Sequence, residues 1–322
     1  MQLSRDDLRT AYRAMVTIRE FEERVAVEFE TGDMPGFVHL YAGEEAIAVG
    51  ACLDLDEKDI IGSTHRGHGH CIAKGCDIQG MMLELFGRKG GLCGGKGGSM
   101  HIADLDRGMM GANGIVGAGA PLIVGAGLTA KTLKTGGVAI GFVGDGATNQ
   151  GAVFEAMNLA VVLALPVVFV FENNYIGEAT GVDYAVGSGD IAARAAAFGM
   201  PVDKVDGRDF FVVHEAMRGC IERARNGDGP SGIEALSPRY YGHFQGDPQN
   251  YRGADEVERY RAEHDCLKIF RQRVIDAKLL GDDDLDAIRA EAKALVDGAV
   301  AAARAAPPPG PSDLMTDIYV NY

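Results

Sequence analysis

The chain has 322 residues, of which 47% are hydrophobic, so it is long enough for one large or two small globular domains and is not a disordered or fibrous protein. Its 31 basic and 46 acidic residues give a formal net charge of -15. No block of Lys and Arg offsets that charge, which argues against nucleic acid as a partner. Glycine supplies 45 residues, roughly twice its average usage, so we expect loops that approach a ligand closely.

Cysteine usage and hydropathy point to a cytoplasmic protein. The six cysteines form no C-x-x-C pair and do not suggest a disulfide framework, which fits a reducing compartment. The first ten residues are polar and include two Asp, unlike a secretory signal or a transit peptide. The longest apolar run, residues 160–171, is interrupted by Pro166 and is well short of the ~18 residues that suggest a membrane span. We therefore predict no membrane association.

The N-terminal part of the chain begins with a helical pattern. Ser4 followed by Asp7 predicts a helix start, and apolar residues then recur at three- and four-residue intervals as far as Phe29. A second helix is predicted over residues 43–53. The following region, residues 63–119, is dense in Gly and His and holds one helical pattern near residues 78–86.

From residue 137 onward, strand and helix patterns alternate. We predict strands at 138–143, 167–171, 202–205 and 233–236, and helices at 153–163, 191–198 and 210–225. Such alternation is typical of an α/β fold with a central parallel sheet flanked by helices. Beyond residue 254 only helices are predicted, up to the proline run 307–309. We expect one domain over residues 1–322, with a core of about 18–252, an N-terminal helical extension, and C-terminal helices and tail at 254–322.

Polar residues follow two consecutive predicted strands. Asp145 comes directly after one strand, and Asn174 follows the next. The carboxyl edge of an open α/β sheet is where ligands bind, and carboxylate and amide oxygens suit Mg²⁺. Glycines beside Asp145 would let a diphosphate approach the backbone. An Asp that caps the next helix and Asn residues in a turn would explain the same pattern without a ligand.

Two further sequence patterns could also form a ligand-binding site. Residues 125–130 match the dinucleotide fingerprint G-x-G-x-x-A, with Asp145 about where a ribose-binding acid belongs. Only residues 122–124 could form the strand that this fingerprint requires, so close helix packing is the simpler explanation of its glycines. Three His and one Arg within residues 65–70 could bind a metal or an anion, or form a solvated turn. We favour an anion because Arg66 lies between the first two His.

Together these residues resemble the alpha subunit of the thiamine diphosphate-dependent 2-oxo acid dehydrogenases, the family that serves the pyruvate, branched-chain and acetoin complexes. The resemblance covers roughly residues 18–252. Its motifs are Gly-Phe-Val-His-Leu-Tyr at 36–41, the Gly-rich segment 90–101, Asn-Gly-Ile-Val-Gly at 113–117, Gly-Asp-Gly-Ala-Thr-Asn-Gln-Gly at 144–151, Glu-Asn-Asn at 172–174 and Tyr-Gly-His at 241–243. It implies the thiamine diphosphate-binding fold, with thiamine diphosphate and Mg²⁺ as cofactors.

The resemblance also implies roles for particular residues. Mg²⁺ would be bound by the side chains of Asp145 and Asn174 and the carbonyl of Ile176. Diphosphate contacts would come from Gly146, Ala147, His65, Arg66 and His243. The aminopyrimidine ring would meet the backbone of Gly114 and Val116. The catalytic histidines of the substrate channel would be His39, His68, His101 and His243. The family usually has Tyr in place of His65, and related chains often carry Gly-Tyr or Arg-Tyr where Tyr175 and Ile176 stand.

The segment 240–252, together with residues 63–75 and 110–114, most resembles the acetoin dehydrogenase branch of the family. The implied activity is cleavage of acetoin, a small-molecule substrate, with transfer of the two-carbon unit to a lipoyl acyltransferase component. The alternatives are pyruvate or another 2-oxo acid as the substrate and, less favoured, a nicotinamide-dependent oxidoreductase. In this family a beta subunit supplies the acid that activates the cofactor, so we expect an alpha2beta2 heterotetramer.

Overall fold

A computed structural model of the chain describes residues 3–319 and contains a five-stranded parallel sheet with helices on both sides. The strands are β1 (Ile60–Gly62), β2 (Ala139–Gly144), β3 (Val167–Asn173), β4 (Ile176–Gly177), β5 (Thr180–Gly181), β6 (Val202–Asp206) and β7 (Ser231–Leu236). The sheet order is β1-β2-β3-β7-β6, and β4 and β5 form a separate antiparallel pair. The predicted α/β fold with a central parallel sheet is confirmed.

Twelve α-helices surround the sheet within residues 3–319. They are α1 (Arg5–Glu30), α2 (Glu45–Cys52), α3 (His68–Lys74), α4 (Ile78–Leu85), α5 (Gly119–Leu133), α6 (Gly151–Val162), α7 (Val182–Ala185), α8 (Ile191–Ala196), α9 (Phe210–Arg225), α10 (Glu256–Glu263), α11 (Cys266–Asp276) and α12 (Asp282–Ala305). None of the helices in this described range is long and apolar enough to cross a membrane.

The terminal helices cover one side of the molecule. At the start of α1, Ser4 and Asp7 form the predicted capping box, in which each side chain accepts a hydrogen bond from the other residue's backbone. The apolar stripe of α1 packs along α12, and α12 also packs against α4. Since each helix buries one stripe, this layer encloses a core of Met15, Ile18 and Phe21 with Val296 and Val300.

The central strands are buried because they are almost entirely apolar. All seven residues of β3 are buried, and so are the first five of β2. Parallel strands that are covered on both faces appear in the sequence as continuous apolar runs. This is why β2 and β3 could both be predicted. The edge strand β1 was missed because three residues carry no periodic signal.

Residues 122–124 lie inside helix α5, where the dinucleotide fingerprint would need a strand. The fingerprint therefore lacks its structural context, and its glycines belong to the helix. A Cβ added at Gly127 would lie 2.4 Å from Val167 Cγ2, so the helix approaches the sheet too closely there for any side chain. Close packing, the simpler explanation, accounts for this glycine.

Candidate active site

The carboxyl ends of β2 and β3 bring Asp145 and Asn174 to one edge of the sheet. The strands are neighbours, with Gly144 paired with Glu172, and the backbone N–H of Asp145 donates to the carbonyl of Glu172 at 3.0 Å. Both residues line a cavity of about 270 Å³. The residues predicted to bind Mg²⁺ are thus placed in one pocket, at the edge where open α/β sheets bind ligands.

The two side chains predicted to bind Mg²⁺ each leave one buried oxygen without a hydrogen-bond partner among the described residues. Asp145 is only 4% exposed, and its Oδ1 accepts from the N–H of Gly146 at 2.8 Å, while Oδ2 is buried and unpaired. Oδ1 of Asn174 is likewise buried and unpaired. Burial raises the pKa of Asp145 to about 6. Buried polar atoms are nearly always bonded, so these two oxygens fit a cation that is held through oxygen.

The third predicted metal contact, the carbonyl of Ile176, lines the same cavity. It already accepts a hydrogen bond from Nη1 of Arg239 at 2.8 Å, which leaves it one further lone pair. Tyr175, between Asn174 and Ile176, has a φ of +73°, a left-handed conformation that is rare for a bulky residue. Strained backbone of this kind often marks a functional site.

Two arginines supply positive charge to the cavity wall. Arg66 is buried and donates to the carbonyls of Leu40 and His243, and its Nε lies 3.9 Å from Glu44 Oε2. Arg239, also buried, was not singled out from the sequence, although it stands three residues after β7 at the same sheet edge. Both guanidinium groups suit an anion such as a diphosphate.

Glu44 is a second residue that sequence reasoning missed. It lines the cavity, is 1% exposed, and its Oε1 accepts from Nδ2 of Asn174 at 3.1 Å. That hydrogen bond fixes which end of the Asn174 amide faces the pocket. Burial, reinforced by the nearby Glu172 carboxylate, raises the pKa of Glu44 to about 8. Nothing in its sequence position distinguishes it from its neighbour Glu45.

Glu172, the last residue but one of β3, lies in a buried hydrogen-bond network. Its Oε1 accepts from the hydroxyl of Tyr41 and lies 2.9 Å from Nε2 of His70, whose Nδ1 is 2.6 Å from Oγ of Ser63. His70 also stacks on Phe142, with ring centroids 3.6 Å apart. The carboxylate is therefore well bonded, and its position at the cavity wall was signalled only by its place at a strand end.

Three of the predicted histidines meet beside the cavity. The ring centroids of His39, His65 and His243 lie 4.6 to 5.2 Å apart, although the three residues come from distant parts of the chain. Burial lowers the pKa of His39 to about 2, that of His65 to about 3 and that of His243 to about 4. These imidazoles are neutral near pH 7 and act as hydrogen-bond donors or lone-pair ligands rather than as cations.

His68 does not line the pocket in this structure, contrary to the expectation that it lines the substrate channel. It belongs to the short helix α3 and is 0% exposed. Its Nδ1 lies 3.1 Å from the Glu22 carboxylate and its Nε2 lies 2.9 Å from Oγ of Ser99. Both nitrogens are thus engaged beneath the surface, which is the geometry of a structural histidine.

The Gly-rich loop places His101 at the rim. The buried carboxylate of Glu84 accepts hydrogen bonds from four backbone N–H groups of this loop, those of Cys93, Gly95, Gly97 and Gly98. The loop leads to His101, which is exposed and lies beside Gly114. Val116, Gly146 and Ala147 line the cavity itself. Since Glu84 organises the loop, it is a positioning residue that the glycine pattern alone does not reveal.

Comparison with known proteins identifies the family. Residues 13–312 match the dehydrogenase E1 component family. The chain is 57% identical over its whole length to the alpha subunit of acetoin:2,6-dichlorophenolindophenol oxidoreductase from Cupriavidus necator, covering 97% of that protein, and 53% identical to the Bacillus subtilis protein of the same name, with 97% of this chain and 93% of that protein covered. The pyruvate dehydrogenase E1 component subunit alpha from Rhizobium meliloti is 40% identical, with 99% of this chain and 92% of that protein covered. These matches confirm the resemblance carried by the motifs: the chain belongs to the dehydrogenase E1 component family.

Proposed function

We propose that this chain is the alpha subunit of a thiamine diphosphate-dependent acetoin dehydrogenase, which cleaves acetoin and passes the two-carbon unit to a lipoyl acyltransferase component. The observation that carries the proposal is the pair of buried, unpaired oxygens of Asp145 and Asn174 on adjacent strand ends. The two relatives above 50% identity are both named as acetoin oxidoreductase alpha subunits, whereas the pyruvate dehydrogenase relative is less similar.

The pocket residues fit Mg²⁺ and a diphosphate. Asp145 Oδ2, Asn174 Oδ1 and the carbonyl of Ile176 would hold Mg²⁺ as oxygen ligands. Arg66 would face the diphosphate, with the backbone of Gly146 and Ala147 and the imidazoles of His65 and His243 as further contacts.

Thiamine diphosphate, when bound, supplies a carbon nucleophile and an electron sink for cleavage beside a carbonyl. The backbone at Gly114 and Val116 would orient the pyrimidine ring. The substrate would meet His39 and His243, which donate hydrogen bonds as neutral imidazoles, and His101 at the rim. Glu44 would keep the Asn174 amide turned so that its oxygen faces the metal.

Substrate choice is tested by kinetics on the reconstituted enzyme. We expect a higher kcat/KM for acetoin than for pyruvate when 2,6-dichlorophenolindophenol is the electron acceptor. A clear preference for pyruvate would move the assignment to a pyruvate dehydrogenase alpha subunit, the function that the 40% identical relative carries.

A beta subunit completes the enzyme in this proposal, in an alpha2beta2 heterotetramer. The cofactor needs a buried acid to activate its pyrimidine ring, and the two buried glutamates of this pocket have other contacts: one oxygen of Glu44 accepts from Asn174, and Glu172 is held by Tyr41 and His70. We expect the purified chain to be inactive alone with Mg²⁺, cofactor and acetoin, and active after a beta subunit is added. Substantial turnover by the chain alone would refute this requirement.

We also propose the cytoplasm as the site of action. All six cysteines are unpaired, five of them buried, which suits a reducing compartment. Fractionation of cells that express the chain, with detection of the chain in each fraction, tests this placement.

A further inference from the structure

The histidine cluster formed by His39, His65 and His243 has the geometry of a nitrogen-ligand site. His39 lies between α1 and α2, His65 follows β1, and His243 follows β7. One ligand nitrogen from each ring lies within 4.8 Å of those of the other two. Three separate segments of the fold thus converge on one point beside the cavity.

Two rings of the histidine cluster carry nitrogens with nothing to bond. Nδ1 of His39 and Nδ1 of His243 are buried and have no hydrogen-bond partner among residues 3–319. His39 as a whole is 6% exposed, so water does not replace the missing partner easily. An unbonded buried nitrogen is costly, and a ligand that bonds it recovers that free energy.

The charges beside the cluster restrict the kind of cation that it could bind. The three rings offer one imidazole nitrogen each, all within 4.8 Å of one another. The guanidinium groups of Arg66 and Arg239 lie close to His65 and His243 and repel a cation. A cation that forms strong bonds to nitrogen is therefore favoured over a hard, oxygen-seeking one.

We propose that His39, His65 and His243 bind Zn²⁺, at a site separate from the oxygen ligands of Asp145 and Asn174. Imidazole nitrogen suits Zn²⁺, at bond lengths of about 2.0–2.1 Å, which in tetrahedral geometry separates the nitrogens by about 3.4 Å. The ligand nitrogens now lie at most 4.8 Å apart, so the rings would have to approach one another by at most about 1.4 Å to bind one Zn²⁺. Three protein ligands leave a fourth position open for water or an anion.

One consequence rests on the proposed function. His65 and His243 are also proposed contacts of the diphosphate, so Zn²⁺ and the cofactor compete for the same two rings. We expect Zn²⁺ to bind more weakly when Mg²⁺ and thiamine diphosphate are present, which would make the cluster a site of inhibition by Zn²⁺. Unchanged Zn²⁺ affinity in an enzyme shown to have bound the cofactor would contradict this competition.

The test is a titration of the complete chain, with any subunit that co-purifies, after cofactor and metals are removed with a chelator. Calorimetry with ZnCl₂ alone should show one site per chain that MgCl₂ does not occupy, and CoCl₂ at the same site should give the visible absorption of four-coordinate Co²⁺. His39→Ala and His65→Ala should each weaken binding about 100-fold or more, since loss of an outer-sphere partner alone costs about 10- to 100-fold. His65 is only half-buried, so its substitution remains informative if His39→Ala does not fold.

Two variants control for other ligands. His264→Ala removes a histidine outside the cluster, and Cys93→Ser removes the one half-buried thiol. Neither should change Zn²⁺ affinity. No Zn²⁺ binding by the wild type, binding that survives both cluster substitutions, or binding lost in Cys93→Ser would overturn the proposal. The titration uses neither cofactor nor substrate, so its result stands even if the proposed function fails.

Discussion

Glu44 and Glu45 are neighbours in the chain and equally buried, yet they belong to two different kinds of site. Glu45 is 0% exposed and both of its oxygens are bonded: Arg19 Nε lies 2.5 Å from Oε1, and Arg19 Nη2 and the N–H of Gly43 both lie 3.0 Å from Oε2. Glu44 has one oxygen bonded to Asn174 and one that has no hydrogen bond within residues 3–319. Burial is the same in both cases, and hydrogen bonding differs.

The contrast separates structural charge clusters from ligand sites. Around Glu45, Arg19 also bonds Asp265 at 2.9 Å, so three buried charges satisfy one another. Around Glu44, the oxygens of Asp145 and Asn174 and the nitrogens of His39 and His243 are left unpaired and lie in or beside one cavity. A closed network stabilises the fold, whereas an open one costs stability until a ligand completes it.

The largest effect is expected where the closed network is broken. Arg19→Ala leaves the carboxylates of Glu45 and Asp265 buried without their cation, so unfolding free energy should fall by about 3–5 kcal/mol. Urea denaturation of the cofactor-free chain measures this. A loss below about 1 kcal/mol, the range of exposed ion pairs, would show that the cluster is not structural.

A matched pair of substitutions sharpens the comparison between the neighbours. Glu45→Gln weakens charge-assisted bonds in the closed network and should cost about 1–3 kcal/mol of stability. Glu44→Gln should cost no more than about 1 kcal/mol and should turn stabilising as pH rises, because the introduced amide oxygen still accepts from Asn174 and hydrogen bonds of this kind are worth about that much. Equal losses of stability in the two variants would show that Glu44 and Glu45 do not differ in how fully they are hydrogen-bonded.

Glu44 also makes the stability of the chain depend on pH. Burial raises the pKa of Glu44 to about 8 in the folded chain, against about 4.3 when unfolded, so the folded state binds more protons between these values. In the metal-free wild type this group therefore lowers stability as pH rises from about 4.3 toward 8. Glu44→Gln removes that contribution, so its stability relative to the wild type should rise over this window. A difference that does not change with pH would contradict the assignment.

The smallest effect is expected at the surface of the terminal helices. Arg289 on α12 lies 2.9 Å from Glu20 on α1, and the arginine side chain is 58% exposed. Arg289→Ala should change stability by about 1 kcal/mol or less because solvent screens such pairs. Thermal unfolding in low and high salt should show little difference between variant and wild type, and a large loss would place this pair with the closed network.

Helices and strands with a strong apolar periodicity could be predicted from the sequence. So could candidate site residues that come directly after a strand. Helix α9 begins and ends where its apolar pattern predicts, at Phe210 and Arg225. Asp145 and Asn174 were found because their place after buried strands puts them at one edge of the sheet. The bounds of helix α5 were not predicted because its glycines hide its period, and β1 was missed because it is too short.

Other features depend on contacts between distant residues, which no local pattern contains. The different roles of Glu44 and Glu45 follow from Asn174 and Arg19, which lie far from both in the sequence. His68 and His65 lie in the same Gly-rich segment, but His68 is fully buried, with its Nδ1 3.1 Å from the carboxylate of Glu22 on α1. The assignment of cofactor and metal ligands, and of residues 1–322 to one domain, stays a prediction.

The buried, unpaired oxygens of Asp145 and Asn174 are proposed to hold Mg²⁺, and with it the cofactor. The most direct test is calorimetry of thiamine diphosphate with Mg²⁺ on Asp145→Asn and on the wild type, each also unfolded in urea without cofactor. Cofactor affinity should fall by about 2–5 kcal/mol, the usual cost of truncating one member of a buried charged site, while the cofactor-free variant should be at least as stable as the wild type. If Asp145→Asn kept the cofactor affinity of the wild type, Asp145 would not hold the metal. If the cofactor-free variant lost as much stability as it lost binding, the weaker binding would reflect a damaged fold and not a lost ligand.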